Sequence, residues 1–181
     1  MNNIQILHLA KIKTLFFVFA FTALAVLTPL AAHYFGGPLA GRMFLPMHIF
    51  VLVAGLVLGW RAGLFVGVLT PLISYSLTHL PPATVLPFVA IEMAAYGLLA
   101  GLLRKNFKLN IWWALLGAMA FGRAAAWLAV LIWPTKIAAG QYIFGAVLDG
   151  WRGILLQILL VPVLMKAIGR FLGDEKNGET N

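Results

Sequence analysis

Long apolar stretches, separated by short polar or glycine- and proline-rich connections, dominate the pattern of this sequence. Most of these stretches approach the roughly 20 residues that a helix needs to cross a bilayer, and the second is short for a span. Apolar and polar residues do not alternate within them, as they would in the strands of a membrane β-barrel. The pattern predicts an all-α polytopic membrane protein with six transmembrane helices. The predicted ranges are 14–34, 44–59, 62–78, 85–103, 111–133 and 141–165.

The composition points to the same class of protein. Hydrophobic residues make up 62% of the 181 residues and charged residues only 10%, with a mean hydropathy of +0.97. A soluble domain has about 45–50% apolar and about 25% charged residues, so an ordinary soluble protein is excluded. We expect residues 1–172 to form a single six-helix membrane domain and residues 173–181 to form a polar C-terminal tail.

The formal net charge of +8 is better explained by orientation in a membrane than by a nucleic-acid partner. Cations gather in the loops on the cytoplasmic side of membrane proteins, and the cations here mostly flank the apolar stretches. If the N-terminus is cytoplasmic, six spans return the C-terminus to the cytoplasm, and only Arg42 and Lys136 face outward. We therefore predict a multi-pass protein of the cell membrane with both termini inside. The cytoplasmic cations are then Lys11, Lys13, Arg61, Arg104, Lys105, Lys108, Lys166, Arg170 and Lys176.

Four ionisable residues fall inside predicted spans: Glu92, Arg123, Asp149 and Arg152. A charge within the bilayer is costly, and it usually pairs with another charge or lines a cavity. Each of the four lies roughly 9–16 Å from the predicted outer end of its helix, at 1.5 Å per residue. This common depth predicts a pocket that opens to the outside.

Helical periodicity adds neighbours on the same faces. Tyr96 lies one turn from Glu92, and Trp127 lies one turn from Arg123. Asp149 and Arg152 share a face of the sixth helix, and His48 lies just inside the second. We expect the connections at 35–42 and 79–84 to act as lids. The predicted substrate-binding residues are Glu92, Tyr96, Arg123, Trp127, Asp149, Arg152 and His48.

A purely structural interpretation of the charges stays open. Glu92 with Arg123, and Asp149 with Arg152, would then be two neutralising ion pairs that only fix the helix register. We expect no metal site and no cofactor, because the chain has no cysteine and no pair of histidines with the spacing of metal ligands. No nucleophile elbow or phosphate-binding loop is present in the sequence either.

The stretch from position 46 to position 101 carries a distinctive series of motifs. Pro-Met-His-Ile begins at Pro46, and glycines recur every fourth residue from Gly55 to Gly67. Gly-Trp-Arg-Ala-Gly, Leu-Thr-Pro-Leu-Ile-Ser, a double proline and Glu-Met-Ala-Ala-Tyr-Gly follow, the last beginning at Glu92. This series resembles the substrate-binding (S) subunits of energy-coupling factor (ECF) vitamin transporters, over roughly residues 15–170.

The resemblance implies capture of a vitamin or related micronutrient from outside, for ATP-driven uptake. It implies a transmembrane T subunit and two ATPase subunits as partners, so that ATP hydrolysis belongs to the partners and this chain is not an enzyme. In that family an Ala-xxx-Ala motif on helix one docks the T subunit. This helix has Ala20, Ala23 and Ala25, and so it departs from the strict spacing.

The ligand itself is predicted from the two buried arginines. A free guanidinium binds a carboxylate with two parallel hydrogen bonds, which favours a ligand such as pantothenate or niacin. Two other classes remain as alternatives. A structural membrane protein of an envelope assembly needs no buried charges at a common depth. A lipid-active membrane enzyme needs clustered acids or histidines at the cytoplasmic interface.

Overall fold

The computed structural model describes the backbone of residues 11–133 and 139–178, and the side chains of residues 14–37, 44–133, 140 and 142–168. Every regular element in the described backbone is an α-helix, which confirms the all-α prediction. The six helices are α1 (Lys11–Phe44), α2 (Pro46–Leu58), α3 (Trp60–Thr78), α4 (Leu86–Lys105), α5 (Ile111–Ile132) and α6 (Ala139–Gly178).

Four of these helices are long and apolar enough to cross a membrane: Thr14–Gly37 within α1, all of α4, all of α5, and Tyr142–Ile168 within α6. The shorter α2 has 13 residues and is about 20 Å long, against a hydrocarbon core of about 30 Å. The prediction that the second helix is short for a span is therefore confirmed. The polytopic membrane class is confirmed as well.

The first helix extends further than the sequence pattern predicts. Helical backbone continues through the predicted connection 35–42, with a kink at Gly37, where φ is 71° and ψ is −175°. Only glycine adopts this conformation without strain. The side chains of residues 38–43, including Arg42, lie outside the described part, as do Lys136 and the connection 134–138. The role of residues 35–42 as a lid stays a prediction.

The last helix is also longer than predicted. It begins at Ala139 and extends through Gly178, which is well into the segment that the sequence analysis assigns to a polar tail. The division into a domain at 1–172 and a tail from residue 173 stays a prediction.

The short helix α2 occupies the centre of the bundle. Its residues from Met47 to Val57 are buried, except for the half-buried Phe50, and it packs against each of the other five helices. Helix α4 lies between α3 and α5 and makes its most extensive contacts with these two. A continuous core joins α2 to the inward faces of its neighbours, and buried residues of α4 and α5 extend it. This arrangement brings the first turns of α2 next to the middle of α4.

Glycines allow α2, α3 and α4 to approach closely. A Cβ atom added at Gly55 or Gly63 would overlap the carbonyl oxygen of Gly97, and one added at Gly67 would lie 2.7 Å from the carbonyl carbon of Met93. Small residues at such spacings let membrane helices pack backbone to backbone. The glycine repeat of the sequence is therefore an intramolecular packing surface. Gly59, the second glycine of the repeat, instead turns the chain between α2 and α3, with a φ of 94°.

Candidate functional site

A buried group of charged and polar side chains lies where α2, α4 and α5 meet. Glu92 on α4 is only 3% exposed. Its Oε1 lies 3.1 Å from Nε of Arg123 on α5 and 3.7 Å from Nε2 of His48 on α2. Three helices distant in sequence thus contribute one side chain each. We call His48, Glu92, Tyr96, Arg123 and Trp127 the polar cluster.

The sequence places these side chains through local helix geometry. Glu92 and Tyr96 are four residues apart on α4 and therefore share a face, as Arg123 and Trp127 do on α5. His48 lies in the first turn of α2, two residues after Pro46, which stands at a position where proline is well tolerated. Because α2, α4 and α5 pack against one another, these three faces meet in one region of the bundle.

Tyr96 forms an aromatic wall of the cluster. It is 1% exposed, and its ring meets the His48 ring edge-on, with 5.3 Å between centroids. The ring fits because residue 122 on α5 is glycine: a Cβ atom there would overlap Cδ1 and Cε1 of Tyr96. Gly122 therefore decides where Tyr96 lies. Nothing in the local sequence distinguishes Gly122 from the other packing glycines, so it is not among the predicted site residues.

Helix α6 contributes a second aromatic contact near the cluster. Phe88, one turn before Glu92, is buried, and its ring centroid lies 5.7 Å from that of Tyr142 on α6. Phe88, Glu92 and Tyr96 form a continuous stripe on α4, because they follow one another at intervals of four residues. The site is thus bounded by apolar rings and contains a few polar groups, as is usual for small-molecule sites.

Several buried polar atoms of the cluster have no hydrogen-bond partner among the described residues. These are both ring nitrogens of His48, Glu92 Oε1, Arg123 Nη2 and Trp127 Nε1. The Glu92–Arg123 contact is close enough for an ion pair but is not aligned as a hydrogen bond, and 3.7 Å to His48 is too long for one. A buried polar group without a partner costs about 1–3 kcal/mol. Such a concentration of unsatisfied groups calls for a bound molecule or ordered water.

Asp149 and Arg152 do not join this cluster. Both side chains are exposed, and the Arg152 guanidinium lies 4.8 Å from the centre of the Trp151 ring. Among the described residues, the salt bridges link only Glu92 with His48 and Glu92 with Arg123. The pairing of Asp149 with Arg152 that the sequence left open is therefore not formed, while the pairing of Glu92 with Arg123 is. A binding role for the two α6 residues stays a prediction.

The connection at 79–84 lies at the end of α4 nearest to Glu92. Glu92 is six residues from the helix start at Leu86, or about 9 Å along the axis. Ser74 Oγ donates to the carbonyl oxygen of Leu80 at 2.8 Å, and Leu80 N donates to Thr78 Oγ1 at 3.2 Å. The beginning of the predicted lid is thus tied to the end of α3.

Gln157 on α6 is a buried polar residue that is not among the predicted site residues. It is completely buried, and neither its Oε1 nor its Nε2 has a partner among the described residues. An amide in the middle of an apolar helix is the signal that would have identified it. Within the described part of the chain, no group of three or more histidine or acidic side chains is placed to hold a metal ion.

The chain matches the model of the family "ECF transporter, substrate-specific component" over residues 13–170. The match includes all five residues of the polar cluster and nearly all of the described helices. No curated protein and no solved structure matches the chain.

Proposed function

The chain belongs to the family of substrate-specific components of ECF transporters, and on that premise we propose that it captures a vitamin or related micronutrient in the polar cluster. The observation that carries this proposal is the set of buried polar atoms without partners: Arg123 Nη2, Trp127 Nε1 and the ring nitrogens of His48. A ligand that satisfies them recovers the cost of their burial. A cluster that served only to hold helices together would need ordered water at these atoms instead.

The chemistry of the free donors favours a ligand with an oxygen acceptor. Arg123 Nη2 and Trp127 Nε1 are donors only, and they lie one helical turn apart. Glu92 faces the Nε edge of Arg123, which leaves the far side of the guanidinium for the ligand. Pantothenate and niacin, each with a carboxylate, remain the proposed ligands. The support now comes from Arg123 alone, since Arg152 lies exposed outside the cluster.

Uptake requires partners that supply energy. We propose a transmembrane T subunit and two ATPase subunits, with ATP hydrolysis confined to the ATPases and this chain acting in the cell membrane as the substrate-capture subunit. Helix α1 is the proposed docking helix. Of its three clustered alanines, Ala23 is exposed and Ala20 partly so, whereas Ala25 is completely buried. A docking surface on α1 therefore uses the first two.

The capture proposal is tested by native mass spectrometry and thermal unfolding of the detergent-purified protein with a panel of vitamins. We expect one vitamin to bind and to raise the unfolding temperature; at 100 times the Kd the gain is about 2.7 kcal/mol. Trp127→Phe removes one donor and is expected to weaken binding about tenfold. Trp133→Phe, at an exposed position, is the matched control. A comparison of nicotinate with nicotinamide in the panel shows whether the site requires a carboxylate or accepts a carbonyl oxygen.

The result that would contradict the proposal is a folded protein that binds no member of a broad panel, by mass or by thermal shift. A structural role in an envelope assembly would then be the better interpretation. If a vitamin binds but Trp127→Phe and Trp133→Phe bind it equally well, capture stands and the polar cluster is not its site.

We also propose that both termini are cytoplasmic, which places the 79–84 connection outside and the 106–110 connection inside. The chain contains no cysteine, so single cysteines report position directly. In intact cells, a membrane-impermeant maleimide is expected to label Thr84→Cys and to leave Phe107→Cys unlabelled until the cells are permeabilised. Both positions are exposed. If Phe107→Cys is labelled in intact cells and Thr84→Cys is not, the proposed orientation of the chain in the membrane is wrong.

A further inference from the structure

An open apolar groove runs along the surface of the helix bundle, between the end of α4 and the first half of α5. Its volume is about 580 Å³. Leu103 and Leu109 form one wall, and Trp113, Gly117, Ala120 and Phe121 of α5 line the rest. The groove is deepened by a missing side chain, since a Cβ atom on Gly117 would lie 2.8 Å from Cδ1 of Leu103. It is separate from the polar cluster.

One end of the groove is strongly basic. Arg104 follows Leu103 in sequence and Lys108 precedes Leu109, both of which line the groove, and the chain has no acidic residue between Glu92 and Asp149. Arg104 Nη1 donates to the carbonyl oxygen of Leu109 at 2.9 Å, which holds the guanidinium beside a groove-lining residue. Lys108 is exposed and immediately precedes Leu109.

The length of the groove along α5 is close to the thickness of one membrane leaflet. Trp113 and Phe121 are eight residues apart on α5, or about 12 Å along the axis, and half of a hydrocarbon core is about 15 Å. Trp113 and its neighbour Trp112 are both exposed in the first turn of α5, where tryptophans mark the interface between membrane and water. The basic end of the groove therefore lies at headgroup level and the apolar part lies at acyl-chain level.

We propose that this groove is a binding site for an anionic phospholipid. One acyl chain lies against Gly117 and Ala120, and the phosphate headgroup lies between Lys108 and the Arg104 guanidinium. The apolar part of the groove would accept the acyl chain of any lipid. Selectivity for an anionic lipid comes from the positive charge at the headgroup end, because basic pockets at helix ends bind anionic headgroups. The occupant is a lipid of the surrounding bilayer.

The test compares two lipids with identical acyl chains, phosphatidylglycerol and phosphatidylcholine, bound to the detergent-purified protein and counted by native mass spectrometry. We expect the wild type to retain phosphatidylglycerol at least fivefold more. Lys108→Asn is expected to lower this preference about fivefold; asparagine tolerates the φ of 53° at this position. Lys166→Gln, an exposed cation on α6, is the matched control and should keep the preference. Ala120→Trp fills the groove and should reduce retention of both lipids.

Three results would overturn the proposal. Equal retention of the two lipids by the wild type would remove the selectivity. If Lys166→Gln lowers the preference for phosphatidylglycerol as much as Lys108→Asn does, the anionic lipid is attracted by the overall positive charge and not by a specific site. If Ala120→Trp leaves lipid retention unchanged but stops co-purification of partner subunits from membranes, the groove is a protein interface. The unfolding temperature of each variant checks that the fold is intact.

Discussion

Replacing Arg123 with alanine is expected to abolish ligand capture, with a loss of affinity of at least 100-fold, and to destabilise the protein. The variant removes a donor that faces the proposed ligand and leaves Glu92 without the cation 3.1 Å away. Glu92 is 3% exposed, and breaking a buried ion pair by removing one partner costs about 3–5 kcal/mol. Thermal unfolding and ligand titration of the purified variant measure the two effects separately.

A double variant distinguishes the stabilising role of Arg123 from its binding role. Glu92→Gln combined with Arg123→Met leaves no unpaired charge, so the free energy of unfolding is expected to return close to the wild-type value. Ligand affinity is expected to stay lost, because no guanidinium is present. Recovery of binding in the double variant would contradict a direct role for Arg123. It would indicate that the pair acts only by holding α4 against α5.

Arg152→Ala is the matched control for the same experiment. Its side chain is exposed and lies over Trp151, so neither stability nor affinity is expected to change by more than a few fold. If this variant loses the ligand as completely as Arg123→Ala, the binding site includes the face of α6 that the sequence analysis assigned to it. The polar cluster would then be only part of the site.

Replacing Gly97 with valine is expected to prevent normal folding, with a loss of about 3 kcal/mol of stability, at the upper end of the cost of overpacking. A Cβ atom at Gly97 would overlap the carbonyl group of Gly63 and would lie 3.0 Å from its Cα atom. These are backbone atoms of a neighbouring helix, so rotation of a side chain gives no relief. The unfolding temperature in detergent and the elution profile on size exclusion measure the effect.

The control for Gly97→Val is Gly145→Val on α6, where an added Cβ atom meets nothing within 4 Å. Both variants place the same β-branched side chain in a helix, so their propensity costs are similar. We expect Gly145→Val to unfold within a few degrees of the wild type. An equal loss of stability in the two variants would show that Gly97 does not act by allowing α3 and α4 to approach closely.

Two features of the site follow directly from the sequence. Glu92 and Arg123 are ionisable residues in long apolar stretches, and a charge in that position must find a partner or a cavity. Tyr96 and Trp127 follow one turn later on the same faces. Pairing Glu92 with Arg123 required only that α4 and α5 be neighbours, which the short connection between them already favours.

On α6, the spacing of the charges does not determine which way their shared face points. Asp149 and Arg152 do share a face, as the spacing predicts, but the structure exposes that face. Periodicity determines which residues lie together on a helix, whereas the rotation of the helix about its axis is set by packing against its neighbours. In α6, Gly153 lies against the backbone of Phe44, and Gly150 lies against the side chain of Leu45. These contacts fix which side of the helix faces inward.

The sequence by itself determined the membrane class, the six helices and the family resemblance, because each depends on local hydrophobicity, length or motif order along the chain. It also offered Glu92 of α4 and Arg123 of α5 as a possible buried ion pair. Only the tertiary structure decided that His48 faces Glu92, that Gly122 makes room for Tyr96, and that the charges of α6 face away from the polar cluster. The physical reason is that these contacts depend on close approach and relative rotation of helices far apart in sequence, where one missing Cβ atom moves a whole side chain.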